Sequence, residues 1–137
     1  MNILFFLTPK ATCSYVYSDH SIRQALERME STGYATIPIL DRSGCYVGTL
    51  TEGDLLWAVK NLCGMDLKRT EGTGIMEIKH RKDYAPVSVN TDMDDLVAKA
   101  VDQNFVPVVD DKDSFIGLIT RRCMMQHFVN TYFKDKS

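Results

Sequence analysis

Ile37-Pro38-Ile39-Leu40-Asp41, a turn holding Gly44, and Tyr46-Val47-Gly48-Thr49-Leu50-Thr51 form the stretch that decides the fold, because the chain writes it twice. Sixty-nine residues later come Val106-Pro107-Val108-Val109-Asp110, an Asp/Lys turn, and Phe115-Ile116-Gly117-Leu118-Ile119-Thr120. A strand-opening proline, a branched apolar run, a closing Asp, a short turn, a second strand with a glycine and a final Thr all recur at one offset. A repeat of this length sets the architecture before any local pattern does. Two such units predict a duplicated scaffold with a pseudo-twofold axis and a cleft between its halves, a build suited to binding before chemistry.

Working outward, Ser18-Asp19-His20-Ser21 reads as a turn and helix start, and Ile22, Ala25, Leu26 and Met29 follow at helical spacing until Gly33. Thr51-Glu52-Gly53-Asp54 has the form of a capping box, with Asp in place of the usual Glu or Gln. Leu55, Leu56, Val59, Leu62 and Cys63 then mark the inward side of a helix ended by Gly64. In the second half, Val87 and Val89 form an extended stretch, and Asn90 or Thr91 caps a helix with Met93, Leu96, Val97, Ala100 and Val101 inward. The last helix carries Cys123, Met124, His127, Phe128 and Tyr132. These signals divide the chain into an N-terminal segment with the first repeat (1–64), a polar linker (65–84) and the second repeat (85–137). The linker shows one helical turn around Ile75 to His80 and the run Lys79-His80-Arg81-Lys82, which reads as solvated.

The 137 residues suffice for one domain or two small half-domains sharing a core. Each half alone would be marginal, since so short a chain buries only roughly 60% of its unfolded surface. A net charge of −2 argues against a general nucleic-acid binder and leaves room for local positive patches. No apolar run approaches the ~20 residues needed to cross a bilayer. Ile3 to Leu7 lacks the basic flank and length of a signal peptide and reads as a buried strand or helical turn, which predicts a cytoplasmic protein. Cys13, Cys45, Cys63 and Cys123 are scattered, and His20, His80 and His127 are dispersed. Reduced thiols and no metal site are expected. No nucleophile, base and orienting group come together in the pattern, and no phosphate-loop lysine follows Gly72 or Gly74, so an enzyme is not expected.

Helix, two antiparallel strands and helix, with h-P-h-h-D and h-h-G-h-h-T inside, resemble the cystathionine-beta-synthase (CBS) domain over nearly the whole chain. The resemblance implies an α/β fold of tandem CBS domains, a Bateman module, each a small sheet packed with helices. It also implies clefts for adenine-containing ligands such as AMP, ATP, S-adenosylmethionine or cyclic di-AMP, and dimers of modules. Phe6-Leu7-Thr8-Pro9 at the start and Ile119-Thr120-Arg121-Arg122 at the close resemble the small stand-alone Firmicute CBS pairs that bind cyclic di-AMP. Some of those are regulators that touch the stringent-response synthetase, which makes a cytoplasmic protein effector a partner to consider beside a second copy of the chain. No nucleic acid, membrane or resident cofactor is implied.

Carried onto this sequence, the resemblance makes Tyr34, Ala35, Thr36, Ile37 and Pro38, with Thr51 and Asp54, the first ligand site. Asn104, Phe105, Val106 and Pro107, with Thr120, Arg121 and Arg122, make the second. Proline withholds a donor at each strand start, leaving adjacent backbone to read an adenine edge. Tyr34 is the better stacking residue, while Phe105 is equally well a core residue. In the CBS pattern the third residue after the closing Thr is an Asp that holds a ribose. Asp54 keeps it and Cys123 does not, so the second site is ribose-poor or built around phosphate through its arginines. Thr120 with Arg121 and Arg122 stands where a helix start already favours an anion, and guanidinium adds a planar fork suited to phosphate. The expected function is a regulatory adenine-nucleotide sensor, cyclic di-AMP foremost. The alternative is a structural or interaction module that binds AMP or ATP weakly or no nucleotide.

Overall fold

The computed structural model describes residues 2–136. In chain order the elements are β1 (Thr8–Pro9), β2 (Val16–Tyr17), α1 (Ile22–Thr32), β3 (Thr36–Leu40), β4 (Tyr46–Thr51), α2 (Glu52–Asn61), β5 (Val87–Ser88), α3 (Met93–Asp102), β6 (Phe105–Val109), β7 (Phe115–Thr120) and α4 (Arg121–Lys136). Short 3-10 turns lie at Ile3–Phe6, Lys10–Thr12, Leu67–Glu71 and Ile75–Glu77. Two compact units result: Ser14–Asp83, and the described residues on either side of it. The sequence signals instead group residues 1–64 and set 65–84 apart as a linker. Most of that linker belongs to the Ser14–Asp83 unit, where Thr70 and Ile75 are fully buried.

In the Ser14–Asp83 unit the sheet runs β2-β3-β4, with β2 parallel and β4 antiparallel to β3. A parallel neighbour needs a crossover, and α1 supplies it. Ser21 and Gln24 form a reciprocal capping box at its start, and Gly33 ends it in the left-handed region at φ 73°. The buried face of α1 is Ile22, Ala25 and Met29, packed on Ile37, Ile39 and Leu50 of the sheet. Leu55, Ala58 and Cys63 are buried from α2 and just beyond it, whereas Leu56 and Leu62, which the spacing places inward, are exposed, as is Trp57. Two helices share one narrow sheet, so each buries only a thin stripe.

The other unit carries the sheet β1-β7-β6-β5. β5 is parallel to β6, β7 is antiparallel to it, and β1 adds antiparallel to β7 at the outer edge. The N-terminal segment is thus part of this sheet. Its Ile3 and Phe6 sit in the core with Val106, Val108 and Ile119, as the apolar run predicts for a buried helical turn. The cap of α3 is Asp92, whose carboxylate accepts from the Asp95 N–H at 2.9 Å; Asn90 and Thr91 lie before it. Leu96 and Ala100 are its buried residues, while Val97 and Val101 are exposed. From α4 only Met124 is buried, and Cys123, Phe128 and Tyr132 are exposed.

The two hairpins match down to single hydrogen bonds. Asp41 Oδ1 accepts from the Ser43 and Cys45 N–H groups, both at 2.9 Å. Asp110 Oδ1 accepts from Lys112 and Ser114, also at 2.9 Å. The closing Asp of each repeat therefore builds the turn itself. Gly44 (φ 89°) and Asp113 (φ 62°) fill the same left-handed position. Both hairpins shift register at the same step, between Ile39 and Leu40 and between Val108 and Val109.

Candidate functional site

Each repeat brings the start of its proline-containing strand beside the strand-to-helix junction. The Glu52 N–H donates to the Ala35 carbonyl at 2.9 Å, and the Arg121 N–H donates to the Asn104 carbonyl at 2.9 Å. Thr36 lies opposite Thr51, and Phe105 opposite Thr120. The residues that the sequence groups into two sites are therefore adjacent within their own units.

At the first junction the capping box is complete. Thr51 Oγ1 accepts from the Asp54 N–H at 3.0 Å, and Asp54 Oδ2 accepts from the Thr51 N–H at 2.9 Å. Tyr34 and Ala35 are exposed, Thr36 is half-buried, and Ile37 and Pro38 are buried. Among the described residues Asp54 Oδ1 has no hydrogen-bond partner, so its carboxylate caps the helix with one oxygen and presents the other.

At the second junction the cap is one-sided. Thr120 Oγ1 accepts from the Cys123 N–H at 3.1 Å, and a thiol returns no carboxylate to the Thr120 amide. Two cations stand here where the first junction has Glu52 and Gly53. Arg121 is half-buried and its Nε donates to the Gln103 carbonyl at 3.2 Å. Arg122 is exposed and lines an open depression of about 490 Å³ with Phe5, Thr120, Cys123 and His127. Positive side chains at a helix start oppose the helix dipole, so the pair is locally unfavourable unless an anion joins it.

Phe105 takes the core alternative: it is buried, with the Tyr84 ring edge-on at 5.0 Å. Val106 and Pro107 are buried beside it, and Asn104 is exposed. The sequence pattern passes over Gln103 and Tyr84. Gln103 is buried, with Oε1 accepting from the Ala85 N–H at 2.9 Å and Nε2 donating to the Ala85 carbonyl at 3.1 Å. The Tyr84 hydroxyl accepts from the Asn104 N–H at 3.4 Å. A Gln before a strand carries no periodic signal, which is why neither contact is legible in the sequence. The basic run is not wholly solvated either. The Arg81 side chain is 9% exposed and pairs with Asp83 at 2.9 Å.

Among the described residues none of the four cysteines is in a disulfide; Cys63 is buried and Cys123 exposed. Burial pushes the Cys13 thiol above its ordinary value. Among the described residues no group of three or more His, Cys, Asp or Glu is placed to hold a metal ion. No described helix is long and apolar enough to cross a membrane.

Comparison with known proteins agrees with this geometry. A crystal structure of CbpB in complex with c-di-AMP superposes with a TM-score of 0.86 at 22% identity, covering 100% of this chain and 91% of that one. CbpB from Listeria monocytogenes in complex with c-di-AMP gives 0.82 at 24% identity, over 93% of this chain and 94% of that one. A CBS domain protein from Streptococcus pneumoniae TIGR4 gives 0.82 at 25% identity, over 94% and 86%. No curated protein matches the chain at a significant level. The model of the family described as CBS domain matches residues 9–61 and again 75–130. With the repeated strands, turns and caps in register with those two matches, the chain belongs to the CBS domain family and carries the domain twice.

Proposed function

We propose that this protein is a regulatory module that binds an adenine nucleotide, cyclic di-AMP foremost. The observation that carries the reading is the replacement of Glu52-Gly53 by Arg121-Arg122 at the second of two otherwise matching strand-to-helix junctions. Two guanidinium groups at a helix N-terminus suit a doubly charged phosphate ligand. Thr120, Arg121 and Arg122, at the β7–α4 junction beside the Asn104–Pro107 strand start, take phosphate. In the Ser14–Asp83 unit, Tyr34 to Pro38, with Thr51 and the unbonded Oδ1 of Asp54, form that unit's own adenosine site. CbpB proteins of the same fold were crystallised with c-di-AMP, which supports this choice of ligand.

The output is a change in self-association or in affinity for a protein effector, since a ligand shifts an equilibrium only through unequal affinity for two states. Each unit has its own exposed apolar residues for self-association, Leu56 and Trp57 on α2 in one and Phe128 and Phe133 on α4 in the other. Isothermal titration with cyclic di-AMP, AMP, ADP, ATP and S-adenosylmethionine in one buffer tests the reading. Saturable micromolar binding by one of them names the signal. Flat titrations of a folded protein assign it to the interaction-module alternative, which the Cys123 departure favours.

A further inference from the structure

Adenine presents an acceptor, N1, beside a donor, its 6-amino group. A residue in extended backbone presents the complementary pair, N–H and C=O, on one side. A primary carboxamide has the same acceptor–donor face as adenine. Beside β6 that face is supplied from within the chain. The Gln103 carboxamide holds both the N–H and the C=O of Ala85, at 2.9 and 3.1 Å. Its Nε2 also reaches the Phe105 carbonyl at 3.3 Å. Gln103 is only 8% exposed, its bond to the Phe105 carbonyl is buried and its two bonds to Ala85 are half-buried. The stacking position is filled too, because Phe105 is buried against Tyr84.

The first repeat has different residues at the matching positions. Ser14 stands two residues before β2, as Ala85 does before β5, and Tyr34 stands two before β3, as Gln103 does before β6. Tyrosine has no carboxamide to offer, and Tyr34 is 56% exposed. Among the described residues the N–H and C=O of Ser14 have no hydrogen-bond partner. One backbone edge is open and its counterpart is closed.

We propose that Gln103 is a built-in stand-in for an adenine edge. The chain then takes one adenine base, at the Ser14–Tyr34 edge, and its second repeat binds phosphate alone. The inference rests on the adenine-nucleotide reading above and fixes its stoichiometry. It accords with the loss of the ribose-holding carboxylate at Cys123, a separate change in the same repeat.

Amide hydrogen exchange and titration of the full chain with AMP and cyclic di-AMP test it. In the free protein the Ala85 amide exchanges slowly and the Ser14 amide fast; saturation slows Ser14 by about tenfold or more and leaves Ala85 unchanged. Wild type binds one AMP per chain. Gln103→Tyr, which copies the first repeat, binds two and exposes the Ala85 amide. Should that variant fold poorly, Gln103→Glu keeps the acceptor oxygen and loses the donor, and is expected to speed Ala85 exchange and admit a second, weaker AMP. A fast-exchanging Ala85 amide in wild type, or two AMP per wild-type chain, overturns the Gln103 inference alone. Flat wild-type titrations with both nucleotides overturn the functional reading beneath it.

Discussion

The backbone of Gly117, at φ 154°, passes directly beneath the Thr8 carbonyl oxygen. A β-carbon on Gly117 would overlap that oxygen and stand 2.9 Å from Leu7 Cδ1 and 3.1 Å from Pro9 Cα. The missing side chain is what lets β1 lie along β7, with Pro9 opposite Gly117. Gly48 does the same for its own unit. The space above it holds the Asp83 carboxylate, which accepts from the Thr49 N–H at 2.9 Å while Thr49 Oγ1 donates to the Lys82 carbonyl at 3.0 Å. The repeated strand glycine is a seat for a segment laid across the sheet edge.

Gly117→Ala therefore meets both a disallowed φ and a backbone collision, and is expected to destabilise the protein by about 2–4 kcal/mol. Gly48→Ala meets a side-chain carboxylate that can swing aside, and about 1 kcal/mol is expected from the disturbed Asp83 hydrogen bonds. Urea unfolding of both variants checks the ranking. Equal midpoints would mean that β1 is not seated on Gly117.

Thr51 and Asp54 cap α2 reciprocally, whereas Thr120 caps α4 alone. Thr51→Ala should cost about 1–2 kcal/mol and Thr120→Ala about half of that. Cys123→Asp restores the missing carboxylate and should raise stability by about 0.5–1 kcal/mol. The same carboxylate beside Arg122 should weaken nucleotide binding several-fold at low salt. A more stable variant that binds as tightly as wild type would remove phosphate from this junction.

The two arginines should separate in their effects. Arg122 is exposed, so Arg122→Ala leaves the unfolding midpoint unchanged and weakens nucleotide binding by about tenfold or more, the loss of one charge-assisted bond. Arg121→Ala also gives up the bond to the Gln103 carbonyl and lowers stability by about 1 kcal/mol. Paired titration and denaturation of each variant distinguish them.

His20 gives the stability a pH dependence. Burial holds its imidazole below the ordinary value; nearby Asp19 opposes the shift, and Arg42 and Arg28 reinforce it. Its Nδ1 accepts from the Tyr17 N–H at 3.4 Å, a bond the protonated ring gives up. The unfolded chain thus takes up the proton first, near pH ~6.5. Stability is full above that value and falls as pH drops through it toward the lower folded value. Asp19, held low by its hydrogen bond to Arg42, adds a loss of the same sign at more acidic pH. Urea midpoints at about pH 7.5 and about pH 5.5 should differ more for wild type than for His20→Asn. Equal differences would take His20 out of the pH response.

Local signals in this chain were strong wherever one segment satisfies itself. Thr36 to Leu40 and Phe105 to Val109 are strands over the residues that the pattern marks, because proline, branched residues and an Asp turn leave the backbone few options. The Thr51–Asp54 box formed as its spacing implies. The cap of α3 moved to Asp92 because Asn90, Thr91 and Asp92 all satisfy the same rule, and only the rotation that buries Leu96 and Ala100 chooses among them.

What the sequence determined by itself was the duplication, the hairpins with their Asp turns, the helix starts, and the placing of Arg121 and Arg122 at a helix N-terminus. All of these rest on contacts within a few residues. The tertiary structure alone decided that the N-terminal segment joins the sheet of the second repeat. It also decided that Leu56, Leu62 and Phe128 face outward, and that Gln103 clasps Ala85. Each depends on a partner distant in sequence: an outer strand free to accept a neighbour, a sheet too narrow to cover a whole helix face, and a backbone edge that either the chain or a ligand must fill.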